Sequence, residues 1–471
     1  MQAPRVSTRF RGPAIAPPTR SGSRRLHRAS FGGQTAPPRH EHDSPVRYSH
    51  SVGGVVTARR IAKLRTRVDS NVVASNFENT VVVIGGAGHV GLPLAIALAD
   101  RGSKVVVYDV SQKAVDLVND GVVPFIEPGA EPILKKALAD GRISASTDAA
   151  VVATAENVIV VIGTPVDEHL NPDPNAIPAA LSSASDYFRD GQLLILRSTV
   201  YPGVTALVEK MVEELGLDIP VAFCPERIAE HKAMEELHSL PQIVSSRSES
   251  GRARAAALFG TLTDKIVHLE PEEAELAKLF TNTWRYIKFA AANQYYMIAN
   301  DLGLDFARIR EAMMTDYPRS ADLPGAGFAA GPCLFKDTMQ LASVTGGSFA
   351  LGHSAMLVNE GLPDYLVRRI EERHDLPGLT VGILGMAFKA ESDDRRSSLS
   401  YRLKRVLSFR AERVLTTDPY VTDDPDLVPL EQVLAEADLL VIGAPHAAYR
   451  DLEPAVPVVD VWNLLGAGSV L

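Results

Sequence analysis

Across 471 residues the chain has only two cysteines, Cys224 and Cys333. A disulfide framework is therefore excluded, and a reducing, cytoplasmic setting fits. No apolar run approaches the roughly 20 residues that a spanning helix needs, so no membrane span is expected, and no signal-peptide core is visible. Basic residues are scarce outside one segment. Residues 1–70 hold 14 Lys+Arg against 3 Asp+Glu, a net of +11, so the formal total of −9 leaves −20 for the remainder. That balance excludes non-specific nucleic-acid binding, and any anionic ligand must be held by local donors. No spacing of His, Cys or carboxylate matches a metal site.

Residues 1–78 are rich in Arg, Pro, Ser and Gly without an apolar period, and read as a disordered basic extension. A transit peptide and a basic arm for an acidic partner suit the same composition. The chain as a whole, 46% hydrophobic and 22% charged, reads as globular, and its length allows roughly three domains.

Thr80-Val81-Val82-Val83-Ile84 is a β-branched run leading into Gly86-Ala87-Gly88-His89-Val90-Gly91, with helical composition after it. This is strand, tight turn, helix, with the turn built for a pyrophosphate at a helix N-terminus. A second strand, Lys104 to Tyr108, ends at Asp109, where a carboxylate suits the ribose hydroxyls of NAD and would repel the 2′-phosphate of NADP. Further strands are expected at 157–163 and 192–196. Their polar ends, Thr164-Pro165 and Ser198-Thr199, should line the cofactor cleft, although ordinary turn chemistry explains them as well.

Residues 272–302 form one long helical segment without internal Pro or Gly. Its apolar residues, Phe280, Trp284 and Ile298 among them, are expected in the core. Lys278 and Asn282 lie side by side at i and i+4, and by spacing alone read as a solvated pair. A second strand–turn–helix begins at Thr380 and ends its first strand in Gly385-Met386-Ala387-Phe388-Lys389. It describes a second parallel α/β unit, whose Lys389, Arg395 and Arg396 suit phosphates. Cys333, in Gly331-Pro332-Cys333-Leu334-Phe335-Lys336-Asp337, is the remaining feature. A lone cysteine is usually a small buried hydrophobe, but a thiol beside a dinucleotide site suggests oxidation through a covalent sulfur intermediate.

From about Thr80 to Leu464 the chain resembles the UDP-glucose/GDP-mannose dehydrogenase family. The matching motifs, in order, are Gly86 through Leu94, Glu127-Pro128-Gly129, Gly163-Thr164-Pro165-Val166, Ser198-Thr199-Val200, Cys224-Pro225-Glu226-Arg227, Glu275 through Lys278 to Asn282, Cys333 with Lys336-Asp337, Gly385 through Lys389 with Asp393 through Arg396, and Asp418-Pro419. The resemblance implies an α/β protein in which two Rossmann-like parallel-sheet domains are joined by a long helix and a central helical domain. The bounds expected are 79–268 for an NAD-binding domain, 269–365 for a helical dimerisation domain, and 366–471 for a UDP-sugar-binding domain, in a homodimer.

It also implies a four-electron oxidation of a nucleotide sugar, from C6 alcohol to carboxylate, with NAD as cofactor. Such acids commonly feed surface polysaccharides. Cys333 resembles the nucleophile, Lys278 and Asn282 the oxyanion holders, Asp337 the carboxylate that moves protons with Lys278, and Thr199 a water-positioning hydroxyl. Glu226, Arg227 and Glu230, with Lys278, Lys389 and Arg396, match substrate-binding positions. Gly86, Gly88, His89, Val90, Gly91, Asp109, Thr164, Pro165, Thr199 and Lys336 match cofactor-binding ones. Pro225-Glu226-Arg227 looks more like the branch acting on UDP-N-acetylmannosamine than like the UDP-glucose branch. The chain departs from the family at Ala329-Ala330 before the cysteine loop, at His231 in place of a common glycine, and at Gln294 in place of a common glutamate. A two-electron hydroxyacid dehydrogenase and a catalytically silent NAD-binding protein are the competing functions.

Overall fold

Residues 79–164, 166–167 and 172–470 are described by the computed structural model of the chain. The basic extension at 1–78 and Pro165 lie outside the described residues. Eight strands build the first sheet: β1 (Thr80–Ile84), β2 (Lys104–Tyr108), β3 (Ile143–Ser146), β4 (Asn157–Val160), β5 (Leu193–Leu196), β6 (Val221–Phe223), β7 (Gln242–Ser245) and β8 (Ile266–Leu269). Their order is β3-β2-β1-β4-β5-β6-β7-β8. All neighbours are parallel except β6 and β7. The first six follow the doubly wound dinucleotide-binding order, whose switch point lies between β1 and β4.

The strands alternate side chains between two cores. Val81 and Val83 of β1 enter one and Val82 and Ile84 the other. Helices cover both faces, which is why β1, β4 and β5 read as continuous apolar runs rather than alternating ones. The second sheet, β9 (Thr380–Leu384), β10 (Arg413–Thr417), β11 (Leu439–Ile442) and β12 (Val458–Val459), runs in the order β10-β9-β11-β12 and is wholly parallel.

Both sheets use one device at their first turn. Asp109, just past β2, accepts the Ala87 N–H through Oδ2 at 3.1 Å, and Asp418, just past β10, accepts those of Met386 and Ala387 at 2.6 and 2.9 Å. In each case a carboxylate ties down the loop that leaves the sheet's first strand. Burial pushes the Asp418 pKa up, but the hydrogen bond and charge of His446, with the Tyr420 and Ala387 amides, outweigh it and hold the carboxyl at about 2. A depressed carboxyl contributes stability that is present above its unfolded value and is lost as pH falls through the folded one. Asp418→Asn should therefore cost about 2 kcal/mol in urea unfolding at pH 7. The gap from the parent should narrow as pH drops from 4 towards 2; a gap that widens there would refute the assignment.

A 31-residue helix, Pro271–Asp301, links the sheets. Pro271 opens it, and Glu270 and Glu273 exchange hydrogen bonds with each other's backbone to cap it. Glu275 anchors it to the first sheet's layer by accepting from Gly203 N, Thr205 N and Thr205 Oγ1 at 2.7, 2.8 and 2.6 Å. Two further helices, Leu334–Val344 and Ala350–Glu371, pack on it.

The expected division of this helix is partly reversed. Lys278 and Asn282 are buried, whereas Phe280, Trp284 and Ile298 are exposed. Helical period fixes which residues share a face, but not which face the rest of the fold covers. No helix among the described residues is long and apolar enough to cross a membrane.

Candidate active site

The cysteine loop is pressed into place by glycine. Gly327 sits at φ +144° where a Cβ would stand 2.2 Å from Trp462, and Gly331 at φ +100° where one would stand 2.5 Å from Phe388. Asn293 in the long helix holds the loop reciprocally, donating to Gly327 O at 3.0 Å and accepting from Gly327 N at 2.9 Å. Cys333 then occupies the N-cap of Leu334–Val344.

That cap position brings four of the expected catalytic residues together. Asp337, fully buried one turn on, accepts from Asn282 Nδ2 at 2.5 Å and pairs with Lys336 Nζ at 2.9 Å. Lys336 also donates to Thr164 Oγ1 at 3.2 Å, and Thr164 donates to Thr199 O at 2.6 Å, so the cysteine helix is laced to the turns beyond β4 and β5. Cys333 is exposed at the surface, yet the protein packed about its thiol pushes its pKa up by desolvation. Asp337 adds to that shift, and Lys278 and Lys336 oppose it. Burial pulls the Lys278 pKa below that of an ordinary lysine, against the charges of Asp337, Cys333 and Glu226. Cys333, Lys278 and Asn282 thus all lie about Asp337, Asn282 by a hydrogen bond and the thiol and amine within reach of its charge.

Gly86, Gly88, His89 and Val90 lie on the turn after β1 and Gly91 opens the helix that follows, Asp109 lies after β2, Thr164 after β4 and Thr199 after β5. These are the carboxyl ends of neighbouring strands at the switch point. A Cβ on Gly86 would meet Val83 O at 2.6 Å and one on Gly91 would meet Gly86 Cα at 2.7 Å, whereas nothing lies within 4 Å of the position beside Gly88. Two glycines allow the tight turn, and the third leaves its surface clear for a ligand.

Sequence models of the UDP-glucose/GDP-mannose dehydrogenase family match all three parts of the chain: the NAD binding domain at residues 79–263, the central domain at 272–360 and the UDP binding domain at 382–467. The chain belongs to this family. It is 30% identical over 383 residues to the UDP-N-acetyl-D-mannosamine dehydrogenase of Pyrococcus horikoshii, covering 79% of this chain and 90% of that one. A solved structure of the P. horikoshii UDP-D-ManNAc dehydrogenase superposes with a TM-score of 0.75 at 27% identity, over 82% of this chain and 96% of that one. A UDP-glucose dehydrogenase from Pyrobaculum islandicum superposes at 0.76 and 29% identity, over 83% and 96%.

As a member of the UDP-glucose/GDP-mannose dehydrogenases the protein is an NAD-dependent oxidoreductase, and its residues fit that cofactor. The surface beside Gly88 is clear. Asp109, with one amide on each oxygen, from Ala87 and Ser111, retains lone pairs for ribose hydroxyls. His89 stacks against Phe125 at 4.1 Å between ring centroids, and burial with the Arg396 charge lowers its pKa to about 4.

The residues expected to bind substrate are largely engaged within the chain. Glu226 is buried, with Oε2 on the Arg197 guanidinium and Oε1 on the Arg227 and Ile228 amides at 2.7 and 3.0 Å. The Arg227 side chain donates to Pro241 O. Lys389 donates to Glu230 O at 2.5 Å. Arg396 binds Asp394 through Nε and Nη2, and Nη2 stands 3.4 Å from Glu230 Oε1. Arg395 turns away to Asp423 at 3.1 Å. Sequence reasoning missed Arg197, whose fully buried guanidinium also donates to Cys224 O at 3.0 Å and lies 4.6 Å from the Phe259 ring centroid. Nothing local marks it, since an Arg at a strand end ordinarily reads as surface.

Proposed function

We propose that the protein is a nucleotide-sugar 6-dehydrogenase that oxidises the C6 alcohol to a carboxylate in two steps through Cys333. The substrate is UDP-N-acetylmannosamine or a related UDP-N-acetylhexosamine. The observation that carries this reading is the exposed Cys333 beside Asp337 and Lys278, a thiol that a two-electron hydroxyacid dehydrogenase does not need.

NAD, when bound, would supply the hydride acceptor, a fresh NAD being needed for each of the two oxidations. Cys333 Sγ bonds to the aldehyde carbon left by the first, and its proton passes to the carbonyl oxygen. The Lys278 ammonium and the Asn282 amide hold that oxygen as its charge develops. Oxidation of the thiohemiacetal leaves a thioester. Water positioned by Thr199 adds to it, the C–S bond breaks, and Cys333 is returned as the carboxylate forms. Asp337 favours the charged form of the Lys278 amine, opposing its burial, and takes part in moving the protons. Glu226, Arg227 and Glu230 face the sugar, and Lys389 and Arg396 hold the diphosphate with charge-assisted bonds.

Domain roles follow the expected bounds, with NAD at 79–268, dimerisation at 269–365 and the UDP-sugar at 366–471. Exposed Phe280, Trp284, Tyr295, Ile298 and Leu302 along the long helix support a homodimer through that face. A reducing cytoplasm keeps Cys333 as a thiol. The names of the relatives support the N-acetylmannosamine substrate, and the UDP-glucose dehydrogenase neighbour makes UDP-glucose the second reading.

A spectrophotometric screen of UDP-N-acetylmannosamine, UDP-N-acetylglucosamine, UDP-glucose and GDP-mannose tests the substrate. The highest kcat/KM is expected for UDP-N-acetylmannosamine, and a preference for GDP-mannose would overturn the reading. Like charges brought together in a site cost several kcal/mol, so Asp109 should give NAD at least roughly a hundredfold advantage in kcat/KM over NADP. Equal use of the two would remove Asp109 from the cofactor site.

A further inference from the structure

His89, on the turn after β1, and Glu230 with His231, on the stretch after β6, are far apart in the chain, and no short-range spacing links them. The fold brings one ligand atom from each to within 4.8 Å of the others. Three polar atoms there are buried without a hydrogen-bond partner: His89 Nδ1, Glu230 Oε2 and His231 Nδ1. Buried polar atoms are nearly always paired, so such a concentration at one point calls for a ligand. The His231 side chain is only 8% exposed and that of Glu230 15%.

His231 is also held where an imidazole is costly. Its φ is +67°, a conformation that suits glycine, and its N–H is fixed to Glu127 Oε2 at 3.0 Å. The strain is retained together with a side chain directed at the His89–Glu230 pair.

We propose that His89, Glu230 and His231 form a binding site for a divalent transition-metal ion of the zinc class, at the seam between the glycine turn and the Lys389–Arg396 loop. Two imidazole nitrogens with one carboxylate oxygen favour zinc, copper or nickel over magnesium or calcium. Zinc bonds of about 2.1 Å in a tetrahedron set ligand atoms about 3.4 Å apart, so modest rotamer changes close the site and leave a fourth position for water. Asp393 completes the arrangement. Its Oδ1 lies 3.5 Å from His231 Nε2, and its Oδ2 accepts the Ile126 N–H at 3.2 Å. With Nε2 directed at that carboxylate, Nδ1 is left for the ion, as in carboxylate–histidine–metal sites generally.

Arg396 faces Glu230 Oε1, so the ion takes Oε2, the oxygen otherwise left for the sugar, which makes zinc a reversible inhibitor that competes with the nucleotide sugar. This consequence rests on the proposed function; the binding site does not.

Titration calorimetry of the full chain with zinc chloride in a non-chelating buffer tests the site. One zinc should bind per chain. His231→Gly, which relieves the positive φ, should bind at least roughly tenfold more weakly while keeping its melting temperature and its zinc-free turnover. His231→Asn, which tolerates the same φ, should behave alike and guards against a folding failure. Cys333→Ser should bind zinc as the parent does. Absence of binding by the parent, undiminished binding by His231→Gly, or loss of binding in Cys333→Ser would each overturn the proposal. Zinc binding without turnover of any nucleotide sugar would instead refute the dehydrogenase reading and leave the metal site standing.

Discussion

Cys333→Ser should abolish production of the sugar acid while leaving the affinities for NAD and nucleotide sugar within about twofold of the parent. Serine keeps the size and hydrogen bonding of the side chain, but its hydroxyl is a far weaker nucleophile, and an oxygen ester lacks the leaving group that a thioester offers to water. Desolvation pushes the Cys333 pKa up and Lys278 with Lys336 pulls it back, so inactivation by iodoacetamide should accelerate as pH rises past the range of a free thiol. Cys224 provides the control. It is fully buried, burial pushes its pKa up to about 12, and Cys224→Ser should retain substantial activity. Acid production by Cys333→Ser at a near-parental rate would make the thiol structural.

Arg197→Met should destabilise the fold by about 3–5 kcal/mol, because breaking a buried ion pair strands the partner's charge. The stranded group is Glu226, which would keep only the Arg227 and Ile228 amides. The double variant Arg197→Met with Glu226→Gln should recover part of the loss, since no carboxylate is then left unpaired. Urea unfolding of the four proteins measures both effects. A loss below about 1 kcal/mol for Arg197→Met would mean that Glu226 reaches water or another cation.

Sequence read best where side chains repeat a simple pattern. β1 and β2 stand where their β-branched runs place them, and the long helix starts and stops within one residue of the apolar segment. Four strands of the first sheet escaped notice. Val221–Phe223 is only three residues long, Ile143–Ser146 is a polar edge, and β7 and β8 break their short apolar runs with Gln242, Ser245 and His268. β4 ends at Val160, short of the expected 163, because the chain there leaves the ladder for the site.

Within the site, Cys333 was legible as a thiol in a chain with a dinucleotide fingerprint, whereas Lys278 and Asn282 were legible through family motifs alone. By periodicity the last two are a solvated pair, and only the cover supplied by the cysteine helix buries them. Arg197 and the meeting of His89 with His231 were not legible, since both depend on contacts between segments remote in sequence.

The stoichiometry of NADH to nucleotide sugar consumed to completion tests the central claim most directly. Two oxidations at one carbon, joined by a thiohemiacetal on Cys333, predict two NADH for each UDP-sugar and a carboxylate as the sole product. One NADH per sugar, with an aldehyde or ketone accumulating, would contradict the account.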